Sequence, residues 1–60
     1  MPSDTDKLKC IERELVYRKR VYPRLVAKGT MSEETARHEI ALMQAIADDY
    51  RSLAQQELLF

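Results

Sequence analysis

The sequence has very few of the residues that cross-link or interrupt a chain. Its 60 residues include one cysteine, one glycine, two prolines and no tryptophan. The lone Cys10 excludes a disulfide within the chain, and a single histidine provides no Cys/His cluster for a structural zinc ion. A core in so short a chain rarely supplies more than about 3–5 kcal/mol without such cross-links. We therefore expect either unusually good helix packing or self-association.

Long apolar runs are also missing. No stretch approaches the roughly 18 apolar residues that a membrane-spanning helix requires, and the opening MPSDTDKLK lacks the apolar centre of a secretory signal. The sequence therefore predicts a soluble cytoplasmic protein that does not enter the membrane.

Charge is balanced over the whole chain but unevenly distributed along it. Residues 1–28 contain eight Lys and Arg against four Asp and Glu, whereas residues 29–60 contain two against six. The basic half attracts the acidic half, either within one chain or in a second copy. This asymmetry suits self-association as well as binding to another partner.

Apolar residues in the first half recur on one face of a helix, at about 100° per residue. The members of this stripe are Leu8, Ile11, Leu15, Tyr22, Leu25 and Val26. Gly29 follows at a position where a left-handed residue commonly ends a helix. Ser32 then offers an N-cap, with a capping box from Thr30 to Glu33 as the alternative.

The second half has a cleaner heptad stripe, with apolar residues spaced four and three apart. Its members are Ala36, Ile40, Met43, Ala47, Tyr50 and Ala54. The alanines allow a facing helix to approach closely and place its larger side chains, such as Leu15, between them. The sequence thus predicts an all-α protein, an antiparallel helical hairpin. It comprises one domain over residues 1–60, with helices over about 4–28 and 32–58 and a turn over 29–31.

A second row of apolar residues remains on each helix after this pairing. Leu42, Ile46 and Leu53 lie beside the second stripe, and Cys10, Tyr17 and Val21 lie beside the first. A second copy is the simplest cover, giving a dimeric four-helix bundle with Leu42, Ile46 and Leu53 as the candidate self-interface. Scattered surface apolar residues on a monomer are the alternative.

Pro23 interrupts the first helix, since it cannot donate to the carbonyl of Lys19 and its ring crowds the preceding turn. The apolar stripe keeps its phase across this position. We therefore expect a kink near residues 19–22. A break, with a short separate helix from Tyr22 to Lys28, is the alternative.

Three charged residues lie in or beside the apolar stripes and form a candidate buried ion pair. Arg18 projects from the centre of the first stripe, four residues after Glu14, and the hairpin places it within reach of Glu39. We expect Arg18 to be partly buried with one or both glutamates, fixing the register of the helices rather than adding much stability. No nucleophile or metal-ligand spacing accompanies these carboxylates, so we predict no catalytic residue, metal site, cofactor or enzymatic activity.

Basic residues on the outer face of the first helix are a separate candidate site. Arg13, Arg20 and Arg24 share that face and could contact nucleic-acid phosphates. The neutral net charge and the lack of helix-turn-helix spacing favour an ordinary solvated surface. Binding to protein, including a second copy, is therefore the preferred function, with nucleic-acid binding as the alternative.

One long segment adds a resemblance. CIERELVYRKRVYPRLVAKGTMSEETARHEIALMQAIADDY, residues 10–50, resembles short proteins encoded by phages and prophages of proteobacteria, most specifically in RVYPR followed by KGTMS. The shared pattern includes Glu12, Arg13, Glu14, Arg20, Tyr22, Pro23, Gly29, Glu39 and Met43. The resemblance assigns these residues no role. It implies a phage-derived accessory protein made in the cytoplasm of a bacterial host.

Overall fold

The computed structural model describes residues 1–59, which form two helices joined by a short connection. Helix α1 spans Asp4–Ala27 and helix α2 spans Glu33–Leu59. Side chains pair across them in reverse order, since Arg18 meets Glu39 and the earlier Glu12 meets the later Arg51. The two helices are therefore antiparallel, and the predicted all-α hairpin is confirmed.

The first turn of α1 is capped from its own sequence. Ser3 precedes the helix in an extended conformation, and its Oγ accepts a 3.0 Å hydrogen bond from the backbone N–H of Asp6. Asp4 and Asp6 place negative charge at the positive end of the helix dipole.

Gly29 ends α1 with a Schellman motif. Its φ of +79° is in the left-handed region, which glycine enters at little cost. The backbone N–H of Gly29 donates to the carbonyl of Val26 and that of Thr30 donates to Leu25, each at 3.0 Å. These bonds satisfy carbonyl groups that the end of a helix would otherwise leave unpaired.

Ser32 is the N-cap of α2. Its Oγ accepts a 3.0 Å hydrogen bond from the backbone N–H of Thr35. The alternative box from Thr30 does not form, because the Thr30 hydroxyl instead donates to the carbonyl of Leu25, 3.2 Å away at the end of α1. The five residues between the helices are therefore fixed by hydrogen bonds to both of them.

Pro23 lies within α1, and residues on both sides of it are helical. The helix is continuous from Asp4 to Ala27, so the alternative of two separate helices is wrong. The packing of the flanking apolar residues against α2 explains why the helix persists despite the missing hydrogen-bond donor. Leu15 is buried before the proline, and Leu25 and Val26 are half-buried after it.

The core is a single narrow layer between the helices. Within residues 1–58, the buried side chains are Leu15 at 7% exposure, Ala36 and Ala54 at 6%, and Ala47 at 0%. Three of the four are alanines of the predicted heptad stripe, which allow α1 to approach α2 closely. Leu15 is the one large side chain among them, so apolar burial within one chain is small.

The hairpin is elongated, with extents of 47 × 15 × 15 Å. Its radius of gyration is 14.0 Å, whereas a compact domain of this length has a value of about 10 Å.

Neither of the two described helices has the length and apolar character required to cross a bilayer.

Candidate functional site

Arg18 connects α1 to α2 at the middle of the hairpin. Its Nε donates a 3.1 Å hydrogen bond to Oε1 of Glu14, one turn earlier in α1. Its Nη1 donates a 3.0 Å hydrogen bond to the backbone carbonyl of Glu39 and lies 3.6 Å from Oε2 of the same residue. The structure therefore brings all three predicted residues together, and one guanidinium contacts both carboxylates.

The guanidinium of Arg18 is less exposed than its partners. The Arg18 side chain is 19% exposed, against 44% for Glu14 and 43% for Glu39. Its Cζ also lies 5.7 Å from the centroid of the Tyr22 ring, within the range of a cation–π contact. The guanidinium of Arg18 thus contacts two carboxylates, one backbone carbonyl and one aromatic ring of the same hairpin.

The same bonds establish which apolar side chains share one side of the hairpin. Glu39 precedes Leu42 by three residues and Ile46 by seven, so all three lie on one side of α2. Glu14 stands in the same relation to Tyr17 and Val21 on α1. Because Arg18 joins Glu14 to Glu39, these two sides form one continuous face of the molecule. Leu53 and Cys10 extend it by the same spacing. This apolar face comprises Cys10, Tyr17, Val21, Leu42, Ile46 and Leu53.

The apolar face is largely open to solvent in the single hairpin. Leu42 is 46% exposed, and Ile46 and Leu53 are each 41% exposed. On α1, Tyr17 and Cys10 are exposed and Val21 is half-buried. The Arg18 cluster lies in the groove between the two rows, so the face presents apolar side chains around a charged centre.

The opposite face of the hairpin is polar. Arg51 bridges the helices there, with Nη2 3.5 Å from Oε2 of Glu12 and Nη1 2.8 Å from Oδ1 of Asp48. Gln44 donates a 3.0 Å hydrogen bond to the same Asp48 oxygen. Surface ion pairs of this kind contribute little stability, typically below about 1 kcal/mol each. One face of the hairpin therefore carries charged and polar side chains, and the other carries the exposed apolar residues.

The predicted basic residues Arg13, Arg20 and Arg24 are all exposed. None of the ion pairs found in residues 1–59 includes any of the three. By contrast, both arginines of α2, Arg37 and Arg51, are paired with carboxylates. The positive charge on the outer side of α1 is therefore not neutralised within the described part of the hairpin.

Glu57 forms a contact that the sequence analysis did not identify. Its carboxylate, near the end of α2, accepts hydrogen bonds from the backbone N–H groups of Asp4 at 2.7 Å and Thr5 at 3.4 Å, and from the Thr5 hydroxyl at 3.0 Å. These bonds, chiefly the one from Asp4, hold the pKa of Glu57 below its ordinary value of 4.5. The end of one helix thus caps the beginning of the other.

Groups that could hold a metal ion are absent from residues 1–59, where no three His, Cys, Asp or Glu side chains converge. His38 and Cys10 are both exposed on the surface.

No family model, curated protein or solved structure matches the chain.

Two of these contacts had weak signals in the sequence. Ser3 followed by acidic residues is a typical start of a helix, and this pattern indicates that α1 begins at Asp4. A carboxylate near the end of α2 then becomes a candidate partner for the free N–H groups of that first turn. The pairing of Glu12 with Arg51 had no such signal, since it depends on the register of the two helices.

Proposed function

We propose that this protein is a non-enzymatic interaction protein that self-associates as a dimer through its apolar face. Its resemblance to phage and prophage proteins supports a role as an accessory protein in the cytoplasm of a bacterial host. Glu14 and Glu39 are the carboxylates that lie beside the apolar stripes, and both are paired with Arg18. That pairing supports a structural role for them rather than acid–base chemistry.

The exposure of Leu42, Ile46 and Leu53 is the observation on which the proposal rests. These large apolar side chains each leave over two-fifths of their surface in water and follow one side of α2 for three turns. Fully burying an exposed side chain of this size contributes about 1.5–3 kcal/mol, so covering the exposed two-fifths contributes about 0.6–1.3 kcal/mol. A contact covering all three in one copy would therefore add about 2–4 kcal/mol to that copy.

The total surface area supports the same conclusion. The hairpin exposes 4737 Å², whereas a compact monomer of 7.0 kDa exposes about 4,000 Å². The excess of about 700 Å² is close to the ~800 Å² that each partner loses in a standard protein interface. A dimer would thus bring the chain to the burial expected of a stable domain.

A second copy would cover this face with an equivalent apolar surface. A two-fold axis through the centre of the face would place the Arg18 cluster of one copy near that of the other. Arg18 of each copy could then also face a carboxylate of its partner copy, since each cluster contains one positive and two negative groups. The surrounding apolar rows would then meet their equivalents in a four-helix bundle.

We also propose that α1 bends near residues 19–22. Pro23 has no N–H to donate to the carbonyl of Lys19, and its ring crowds the preceding turn. A bend there would open the turn and curve α1 around α2.

The proposal is tested by measuring molar mass by light scattering across a dilution series at low and moderate salt. We expect a dimer for the wild-type chain and a folded monomer when Leu42, Ile46 and Leu53 are all changed to glutamine. Glutamine has nearly the same helix propensity as leucine, so each hairpin should keep its helices.

The matched control is Val16→Gln. Val16 is 64% exposed, but it lies on the polar side of α1, away from the apolar face. It should leave the mass of the dimer unchanged. A wild-type chain that remains a folded monomer at every concentration would contradict self-association and direct the search to a different protein that covers the same face.

A further inference from the structure

The outer edge of α1 carries a regular line of basic and aromatic residues. Arg13, Tyr17, Arg20 and Arg24 are spaced four, three and four residues apart, which places them in one line along the helix. Lys28 continues the line one turn later. Arg13 and Arg24 are eleven residues apart, or about 16 Å along the helix axis. We call this line the basic edge.

The side chains of the basic edge are available to a ligand. All are exposed, and Tyr17 retains 48% of its surface. Arg13, Tyr17 and Arg20 line one shallow depression together with Lys9, which adds a further positive charge. Glu12, the acidic residue in that depression, is held by Arg51 on the side nearer α2. Positive charge therefore dominates the edge.

The chemistry of the edge matches a polyanion. Three arginines in a line present planar donors that bind phosphate oxygens in pairs. Each arginine on this edge lacks a carboxylate partner within residues 1–59, so binding an external anion breaks no ion pair of the described chain. The neutral charge of the whole chain does not oppose this, because six of the ten acidic residues lie on α2, and Glu12 and Glu14 of α1 are paired with arginines away from the edge.

The exposed aromatic ring between two arginines indicates a single strand rather than a duplex. Bases of a single strand are free to stack on an aromatic side chain while its phosphates contact neighbouring cations. In a duplex the bases are already stacked, so Tyr17 would have no equivalent role. The edge also lacks the Asn and Gln side chains that commonly read base edges in the major groove.

From these observations we propose that the basic edge of α1 binds single-stranded nucleic acid, with Arg13, Arg20 and Arg24 on the phosphates and a base stacked on Tyr17. The binding does not depend on sequence, since the contacts are to the backbone and to the face of a base. The basic edge runs alongside the outer border of the apolar face, and Tyr17 belongs to both surfaces. In the proposed dimer the outer side of the Tyr17 ring must therefore stay open for a base to stack on it.

The test is fluorescence anisotropy with a labelled oligothymidine of about 20 nucleotides, measured at several salt concentrations. Changing Arg13, Arg20 and Arg24 to glutamine should reduce the slope of log K against log salt by about 2. For the wild type, those three contacts alone should weaken binding about 20-fold between 50 and 200 mM salt. Tyr17→Leu keeps an apolar side chain but removes the stacking ring, and it should weaken binding while leaving the salt slope unchanged.

The matched control changes Lys7, Lys19 and Arg37 to glutamine, which leaves the ion pair between Arg51 and Glu12 intact. It removes the same charge away from the basic edge and should bind the oligonucleotide nearly as well as the wild type. Molar mass is measured on every variant, so loss of nucleic-acid binding is distinguished from loss of the dimer. Absent binding at low salt, tighter binding to a duplex of the same length, or equal loss in the control would each overturn the proposal.

Discussion

The carboxylate of Glu57 accepts a 2.7 Å hydrogen bond from the backbone N–H of Asp4, fifty-three residues earlier in the chain. A residue near the end of α2 thereby supplies an acceptor for the first turn of α1, in addition to the one from Ser3. The two ends of the chain described by the structure are thus joined by a charged hydrogen bond at the far end of the hairpin from its turn.

The first prediction concerns the pH dependence of this contact. Glu57→Ala should lower the melting temperature at pH 7, because the N–H groups of Asp4 and Thr5 lose their acceptor. The folded-state pKa of Glu57 lies below its ordinary value of 4.5, so its contribution is complete above the unfolded-state pKa. It is lost as the pH falls through the folded-state pKa. The difference in melting temperature between wild type and variant should therefore shrink as the pH is lowered below about 4.5.

Gln56→Ala is the control for that measurement, since Gln56 is an exposed neutral side chain next to Glu57 in α2. It should produce a small change with no comparable dependence on pH. A Glu57→Ala difference that stayed constant down to pH 2 would show that the charge of Glu57 does not stabilise the fold.

The second prediction concerns the most buried side chain of the core. Ala47 is completely buried, so Ala47→Leu should force the helices apart and cost about 1–3 kcal/mol of the free energy of unfolding. Ala45→Leu places the same side chain on the exposed side of α2 and should change stability by less than about 0.5 kcal/mol. Urea denaturation followed by circular dichroism measures both. Equal effects in the two variants would mean that the stripe of alanines does not set the helix separation.

The third prediction concerns the turn. Gly29 has a φ of +79° and no atom within 4 Å of the position that a Cβ would occupy, so its substitution is opposed by backbone strain alone. Gly29→Ala should cost about 1–2 kcal/mol. Asparagine enters the left-handed region more readily, so Gly29→Asn should cost less. If the two variants were equally stable in urea, the strain would have been relieved by a change in the turn.

The fourth prediction concerns Arg18. Arg18→Met removes only the cation and leaves the carboxylates of Glu14 and Glu39 without their shared partner, so it should lower the free energy of unfolding. The loss should stay below the roughly 3–5 kcal/mol expected for a fully buried pair, because these carboxylates are 44% and 43% exposed. We expect that the same variant no longer forms one defined oligomer, and that light scattering shows mixed oligomers or precipitation. Arg51→Met, on the polar face, should keep one species. A single unchanged species for Arg18→Met would exclude a role for this charge in selecting the register.

The fifth prediction concerns the proposed bend in α1. Pro23→Ala restores an N–H that can donate to the carbonyl of Lys19, and it removes a penalty that reaches about 3 kcal/mol in a straight helix. We expect a higher helical signal and a higher melting temperature. Ala27→Pro, near the end of the same helix, tests the opposite change and should be destabilising. Unchanged stability in Pro23→Ala would mean that α1 already accommodates the proline without strain.

Local features of the fold could be predicted from the sequence, because short-range rules determine them. The period of the apolar residues places both helices, Gly29 fits one helix end and Ser32 fits the next start. The choice of Ser32 over Thr30 could not be decided in advance. It depends on the Schellman motif, which orients the Thr30 hydroxyl toward Leu25.

Contacts across the hairpin were predictable only where a residue broke the local pattern. Arg18 was conspicuous as a charge within an apolar stripe, so its pairing with Glu14 and Glu39 could be anticipated. Glu57 and Arg51 lie on polar surfaces where charge is ordinary. Their partners depend on the register of α1 against α2, which is a property of the whole helix interface. The exposed area of the apolar face could not be predicted either, because it depends on how each helix is rotated about its own axis relative to the other.

The connection of five residues at Gly29 also governs how copies of this chain can exchange parts. If the residues of this connection became helical, the folded-back hairpin would become one straight rod about 84 Å long over residues 4–59. Two such rods could reproduce every contact between α1 and α2 in domain-swapped form, with the halves contributed by different chains. The conformation of this connection would therefore decide whether copies that associate do so as complete hairpins or by exchanging helices.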